Sequence, residues 1–330
     1  MKNLTLHTPE GVRDIYNSEY EKRLDVLYGL RKCFKGFGYS PISTPTFEYF
    51  DTFSKEVGSV ESNEMFKFFD REGETLVLRP DITPSIGRAA AMYFSDTDEP
   101  VKLCYEGNVF INYHSLQGRL KESTQAGCEF IGDSTVEADA EILTIVVNAL
   151  KNSGLKVFEI GVGHRDIVRG LIDATNLSED IKIRLVKLIS NKNFYGAKDL
   201  LEANNVNQNL IDLFEITGKI MNSPKEWEPY LLKAKKYKKV HDALEYLMKL
   251  YSLLEENKVL DYISFELGMI SEYRYYTGII FTGYSYGVGE PLVKGGRYDS
   301  LLSHFGKDSP AIGFAITIDQ LMLALERNNE

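Results

Sequence analysis

With 330 residues, 43% hydrophobic and 26% charged, the chain holds enough apolar material for one large core or two modest ones, which excludes a disordered protein. Its 48 acidic against 38 basic side chains give a formal net charge of −10, a balance that repels polyanions over long range and disfavours a nucleic-acid-binding module. No run approaches the roughly 20 apolar residues of a membrane helix, and residues 1–14 lack the basic flank and apolar stretch of a signal peptide, so a cytoplasmic protein with no membrane partner is expected.

The first predicted element is a helix. Ser18-Glu19-Tyr20-Glu21 has capping-box spacing, and Leu24, Leu27, Leu30, Phe34 and Phe37 then fall on one stripe up to Gly38. Pro41 and Pro45 interrupt the apolar run that ends at Phe47, which favours extended backbone at a sheet edge or an interface over a central strand. Thr75–Leu78, Val101–Tyr105 and Lys156–Ile160 are short β-rich runs bounded by Gly, Pro, Asp or Asn. From 166 to 258 the pattern is helical and rich in Leu, Lys and Glu, with Ser223-Pro224-Lys225-Glu226 as a second capping box. Within it, Lys233 to Lys239 reads as the solvated face of a helix. Strand character returns at Tyr262–Phe265 and Gly278–Thr282, and a final helix is expected from near Ile316. The chain therefore divides into an α+β core, 1–165 and 259–330, split by a helical insertion domain, 166–258.

The three cysteines, Cys33, Cys104 and Cys128, have neither disulfide nor zinc spacing and are expected to be buried apolar residues. None of the five histidines shows paired ligand spacing, so no metal and no cofactor are expected; His114 is read as exposed. Gly161-Val162-Gly163-His164-Arg165-Asp166 lacks the third glycine of a dinucleotide loop and reads as a strand-end turn. Gly295-Gly296 reads as a place of close backbone approach.

The densest polar cluster is Gln117-Gly118-Arg119, Gln125 and Glu129. On a strand, even spacing puts Gln125, Gly127 and Glu129 on one face. An amide and a carboxylate beside a glycine suit a small ammonium-bearing ligand lying over the glycine; an exposed polar strand face is the other reading.

Several segments in one order change the balance. Leu78-Arg79-Pro80-Asp81-Ile82-Thr83, Gly107-Asn108-Val109-Phe110, Gln117-Gly118-Arg119, Gln125 to Gly132, Tyr275-Tyr276-Thr277-Gly278 and Gly295 to Asp299 together resemble histidyl-tRNA synthetase. The resemblance runs from Gly11-Val12-Arg13-Asp14 to the end of the chain. It implies a class II aminoacyl-tRNA synthetase-like core, an antiparallel sheet flanked by helices. It also implies a homodimer formed around Pro41–Phe47, where that family's first signature motif falls.

Departures from the family pattern carry the functional expectation. The resemblance implies an arginine for the ATP α-phosphate and a glutamate for adenine where this chain has Ile111 and Tyr113. The arginine of the third motif is Gln320, following Asp319, and the arginine that bridges amino acid and ATP is Ser271. Guanidinium groups hold phosphate by charge and a bidentate fork that isoleucine, serine and glutamine cannot reproduce. Each contact of that kind contributes about 1.5–3 kcal/mol, and losing a transition-state donor slows reaction about 10²-fold or more. Three losses abolish adenylation on this reading.

The amino-acid side implied by the resemblance is better kept. Thr83, Gln125, Glu129, Tyr275 and Tyr276 match positions that hold histidine, with Asp81 in place of a glutamate. The sequence stops at Glu330, after the third-motif helix, so no anticodon-binding domain is expected. A synthetase-like core without ATP ligands resembles the regulatory subunits that partner the short catalytic form of ATP phosphoribosyltransferase, the first enzyme of histidine biosynthesis. The expectations are then no catalytic residues, a homodimer within a hetero-oligomer, and histidine as an effector. The alternative is a truncated enzyme activating an amino acid for a non-tRNA acceptor, with ATP held by Arg119, Arg274 or Arg297 instead.

Overall fold

The computed structural model describes residues 6–53, 60–97, 99–113, 119–271, 273 and 275–328; His114, Gln117, Gly118 and Arg274 lie outside the described residues. Helix α1 (Asn17–Gly36) leads to β1 (Ser40–Pro41), β2 (Phe47–Tyr49), β3 (Lys67–Phe69), β4 (Thr75–Leu78) and α2 (Thr83–Tyr93). The long strands β5 (Val101–Phe110) and β6 (Glu122–Ile131), helix α3 (Val136–Asn152) and β7 (Phe158–His164) follow. A helical stretch comes next: α4 (Arg165–Asp173), α5 (Glu179–Ser190), α6 (Phe194–Ala203), α7 (Gln208–Phe214), then strand β8 (Ile220–Met221), α8 (Pro224–Ala234) and α9 (Lys238–Glu256). The chain closes with β9 (Ile263–Glu266), β10 (Ile279–Ser285), β11 (Val293–Arg297), β12 (Ala311–Thr317) and α10 (Ile318–Arg327).

Among the described residues one nine-stranded sheet has the order β1-β5-β6-β12-β11-β10-β7-β9-β8, and β2-β4-β3 form a separate three-stranded sheet. The large sheet is mostly antiparallel; β1 runs parallel to β5, and β7 to β9. Period-2 alternation assigns the two faces of β6. Ala126, Cys128 and Phe130 join the core that includes α1, α3, α9 and α10, while Gln125, Gly127 and Glu129 face the side of α2. Helix α3 explains the thickness of that core. It is capped by Thr135, whose hydroxyl accepts from the Ala138 N–H, and its wide apolar face, with Ile142, Leu143, Val146 and Leu150, is buried, while Glu137, Glu141, Thr144, Asn148 and Lys151 form a polar stripe.

The structure agrees with the sequence at several points. β1 is an edge strand, the three cysteines are buried, and Gly295 and Gly296 lie in β11 under the Phe281 and Tyr276 rings, where a Cβ would collide with them. It differs at others. Helix α1 begins at Asn17 and Ser18 caps nothing. Leu24 is exposed while Arg23 is buried, because the Arg23 guanidinium bonds Asp319 at 2.9 Å and also Thr124. The segment Lys233–Lys239 spans the junction of α8 and α9 rather than one helix face. Gly161 and Gly163 lie inside β7, packed against Glu266 and Met269, and the turn into α4 falls at His164. Helix α10 starts two residues later than expected because the apolar run 311–317 serves β12. No helix among the described residues is long and apolar enough to cross a membrane.

Candidate functional site

Register across the sheet builds the floor of the site. Gly127 of β6 lies opposite Tyr105 of β5 and Ala315 of β12, and Ala315 lies opposite Lys294 of β11. In the next row Glu129, Gly313 and Gly296 are neighbours. These small residues are required. A Cβ at Gly313 would collide with the Glu129 carboxyl, and one at Gly127 with the Phe314 carbonyl and the Tyr105 ring. The floor is therefore a shallow trough in a sheet otherwise covered by large side chains.

The start of α2 and the segment before β10 supply the walls. The Asp81 carboxylate accepts from the Thr83 N–H (3.1 Å) and from the Tyr275 hydroxyl (3.0 Å). Thr83 Oγ1 donates to Glu129 Oε1 at 2.7 Å, and the Tyr298 hydroxyl donates to Glu129 Oε2. Burial pushes the Glu129 carboxyl up to about 8, against the pull of those two donors and with a further push from Asp81. Burial likewise holds the Tyr275, Tyr276 and Tyr298 hydroxyls far above their ordinary range, so they act as neutral donors.

Asp81, Thr83, Gln125, Tyr275 and Tyr276 line one cavity of about 30 Å³. Glu129 sits one layer behind it, reached through Thr83 and Tyr298. The buried Gln125 Oε1 has no hydrogen-bond partner among the described residues, an arrangement that ordinarily marks a group meant for a ligand or water. A space of that size takes about one or two waters, and Tyr273 forms part of its wall. Its ring stacks on Tyr275 at 5.5 Å, meets Tyr276 edge-on at 5.5 Å, and has the Lys294 ammonium 5.5 Å from its centre.

Beyond Tyr273 lies a second, wide cleft of about 1110 Å³. Ile111, Tyr113 and Ser271 line it; Gln320, half-buried on α10, does not. Ser271 Oγ accepts from the Tyr273 N–H, and Asp319 is held by Arg23 and the Thr124 N–H, so both serve local structure. The cleft lining carries Glu61, Glu64 and Glu290 against Arg119 and Lys294 as permanent cations. Arg119 already forms an ion pair with Glu290 at 2.9 Å and lies over the Tyr113 ring. Arg297 is buried against Asp139, with Nε donating at 2.9 Å, and Tyr246 of α9 donates to the other Asp139 oxygen at 2.6 Å. Such a lining has little to offer a polyphosphate.

Sequence reasoning missed Tyr273, Lys294 and the Asp139–Arg297 pair. Asp139 had a signal, an acid flanked by alanines at helical spacing from Ile142, Leu143 and Val146, where a buried apolar residue is expected; Lys294 had one in its period-2 spacing to Gly296. Away from the cleft, His241, Asp242 and Glu245 form an exposed cluster on α9 in which Lys238 already pairs with Asp242.

With a mixed, mostly antiparallel sheet between helical layers, the protein has the α+β fold of the class II aminoacyl-tRNA synthetases. A family model described as histidyl-tRNA synthetase matches residues 11–321. The chain is 39% identical over 331 residues to an ATP phosphoribosyltransferase regulatory subunit of Acetivibrio thermocellus, covering 99% of this chain and 78% of that one. It is 38% identical to a protein of the same description from Caldanaerobacter subterraneus subsp. tengcongensis, covering 98% and 84%. Its fold matches the crystal structure of an ATP phosphoribosyltransferase regulatory subunit/histidyl-tRNA synthetase from Bacillus halodurans C with a TM-score of 0.88 at 32% identity, covering 97% of this chain and 83% of that chain. The chain belongs to the ATP phosphoribosyltransferase regulatory subunits, within the histidyl-tRNA synthetase family.

Proposed function

We propose that this chain is a non-catalytic partner that activates the short catalytic subunit of ATP phosphoribosyltransferase and carries histidine feedback on the first step of histidine biosynthesis. The observation that carries this reading is the contrast between the two adjoining spaces. The cleft where ATP phosphates would need cations presents Ile111 and Ser271, whereas the cavity beside it gathers Asp81, Thr83, Gln125, Tyr275 and Tyr276. A scaffold with an amino-acid cavity, and with isoleucine and serine where phosphate ligands would stand, senses a product without consuming it. Histidine-dependent exchange of pyrophosphate into ATP tests the non-catalytic part, and the pure chain is expected to show none. The activating-enzyme alternative loses Arg297 to Asp139 and Arg119 to Glu290, two of the cations it requires.

The proposal includes a homodimer. Phe47, Tyr49 and Phe68 are 53%, 59% and 37% exposed on one face of the small sheet, and Phe47 and Phe68 meet edge-on. An aromatic patch of this kind beside the open edge of β1 suits burial against a second copy. Sedimentation at micromolar concentration is expected to give a dimer, and Phe68→Glu to give monomer; a wild-type monomer contradicts this part.

A further inference from the structure

We propose that Arg165 and Arg169, on the first two turns of α4, form a docking point for a carboxylate-bearing surface of the catalytic subunit. The inference rests on the reading that this chain partners that subunit, and it names a contact on the chain's own side. The two residues are four apart on one helix, so their side chains rise one above the other. Among the described residues neither guanidinium has a hydrogen-bond or ion-pair partner, although Arg165 is half-buried. Burial and the neighbouring Arg169 charge both work against the Arg165 cation, and Asp166 offsets them only in part. Asp173, the acid one turn further on, is taken: it pairs with Lys239 at 2.9 Å and feels Arg169 only as a weaker charge. Gly170 makes that pairing possible, because a Cβ there would meet Val240 and the Lys239 stem at the start of α9.

An ordinary solvated face keeps its cations in water or pairs them across a turn. Here a half-buried guanidinium is set beside a second one, and an anion supplied from outside relieves both. The net charge of −10 repels a polyanion over long range, whereas two planar forks one turn apart match discrete carboxylates on a protein surface. Position in the fold suits a regulatory contact. The Arg165 N–H donates to the Gly278 carbonyl at 3.0 Å, so the pair sits where the helical stretch joins the segment that carries Tyr275 and Tyr276 into the cavity wall. A partner held at this joint bears on the backbone that lines the cavity.

Calorimetry of the full chain with the short catalytic subunit at two salt concentrations, beside thermal unfolding of the free chain, tests this. Arg165→Gln combined with Arg169→Gln is expected to weaken the complex about tenfold or more and to flatten its salt dependence. The same variant, free, is expected to unfold at or above the wild-type temperature, because the like-charge pair is gone. Arg165→Lys combined with Arg169→Lys keeps the charge without the fork and is expected to recover part of the affinity. A Gln-substituted variant that binds within about twofold of wild type overturns the inference and leaves the partnership standing. So does a destabilised free variant, which would show that the pair serves the fold, and so does loss of affinity for a single-stranded oligonucleotide with subunit binding unchanged. A wild type that does not bind the catalytic subunit overturns both the inference and the reading beneath it.

Discussion

Glu129 is fully buried, and burial is the first reason its carboxyl is pushed up to about 8 from an ordinary 4.5; the Tyr298 and Thr83 hydroxyls pull it back and Asp81 pushes it further. A carboxyl raised in the folded state binds more protons folded than unfolded between those two values. Its contribution to stability is complete below about 4.5 and is lost as pH rises toward 8. Glu129→Gln removes that titration. Relative to wild type the variant is expected to gain stability as pH rises, by about 2–5 kcal/mol across the window, in thermal or urea unfolding followed as a pH series. Asp139, also raised by burial, to about 6, and His164, lowered by burial to about 4, cancel in the difference because both proteins retain them. A difference independent of pH would show that Glu129 does not titrate there. Glu129 stands behind the cavity and bonds Thr83, so on the proposed reading contact with a ligand falls to Gln125, Asp81 and Thr83.

At the scale of elements, the cavity is made where strand β6, the start of α2 and the segment before β10 converge, and Tyr273 stands on the wall it shares with the wide cleft. Displacing the ring gives up aromatic contacts of about 0.5–1.5 kcal/mol and a cation–π contact of about 0.5–1 kcal/mol. A closed majority lowers apparent affinity by the fraction that is open. Tyr273→Ala is therefore expected to speed histidine association by up to about tenfold in stopped-flow measurements, and an unchanged association rate would show that another group controls access. What the sequence made legible follows the same elements. The face of β6 could be read because period 2 is local: Gln125, Gly127 and Glu129 need no partner to be placed on one side. The buried Arg23 could not, since its reason is Asp319, 296 residues away, and the same tie turned Leu24 outward. The strand β12 was read in part as helix because Ile316 is apolar in either structure and only its neighbours in β6 and β11 decide. Ile111 and Ser271 became informative only through the family resemblance, and Lys294 was missed because Ala315 and Gly127 come from distant strands.

At the scale of the molecule, the apolar core on one face of the sheet runs without a break from α1 and α3 to α9 and α4, and the Asp139–Arg297–Tyr246 network bonds α3, β11 and α9 together. A continuous packed core of this kind gives a regulatory partner a body through which a local change can be passed on. Regulation also requires differential affinity for active and inhibited assemblies, with a coupling of about 1–3 kcal/mol. The most direct measurement mixes the purified chain with the short catalytic subunit of ATP phosphoribosyltransferase and follows transfer from phosphoribosyl pyrophosphate to ATP, with and without histidine. The account predicts that the catalytic subunit gains activity only when this chain is bound and that histidine suppresses the gain. A catalytic subunit that neither associates with the chain nor gains activity from it would contradict the account.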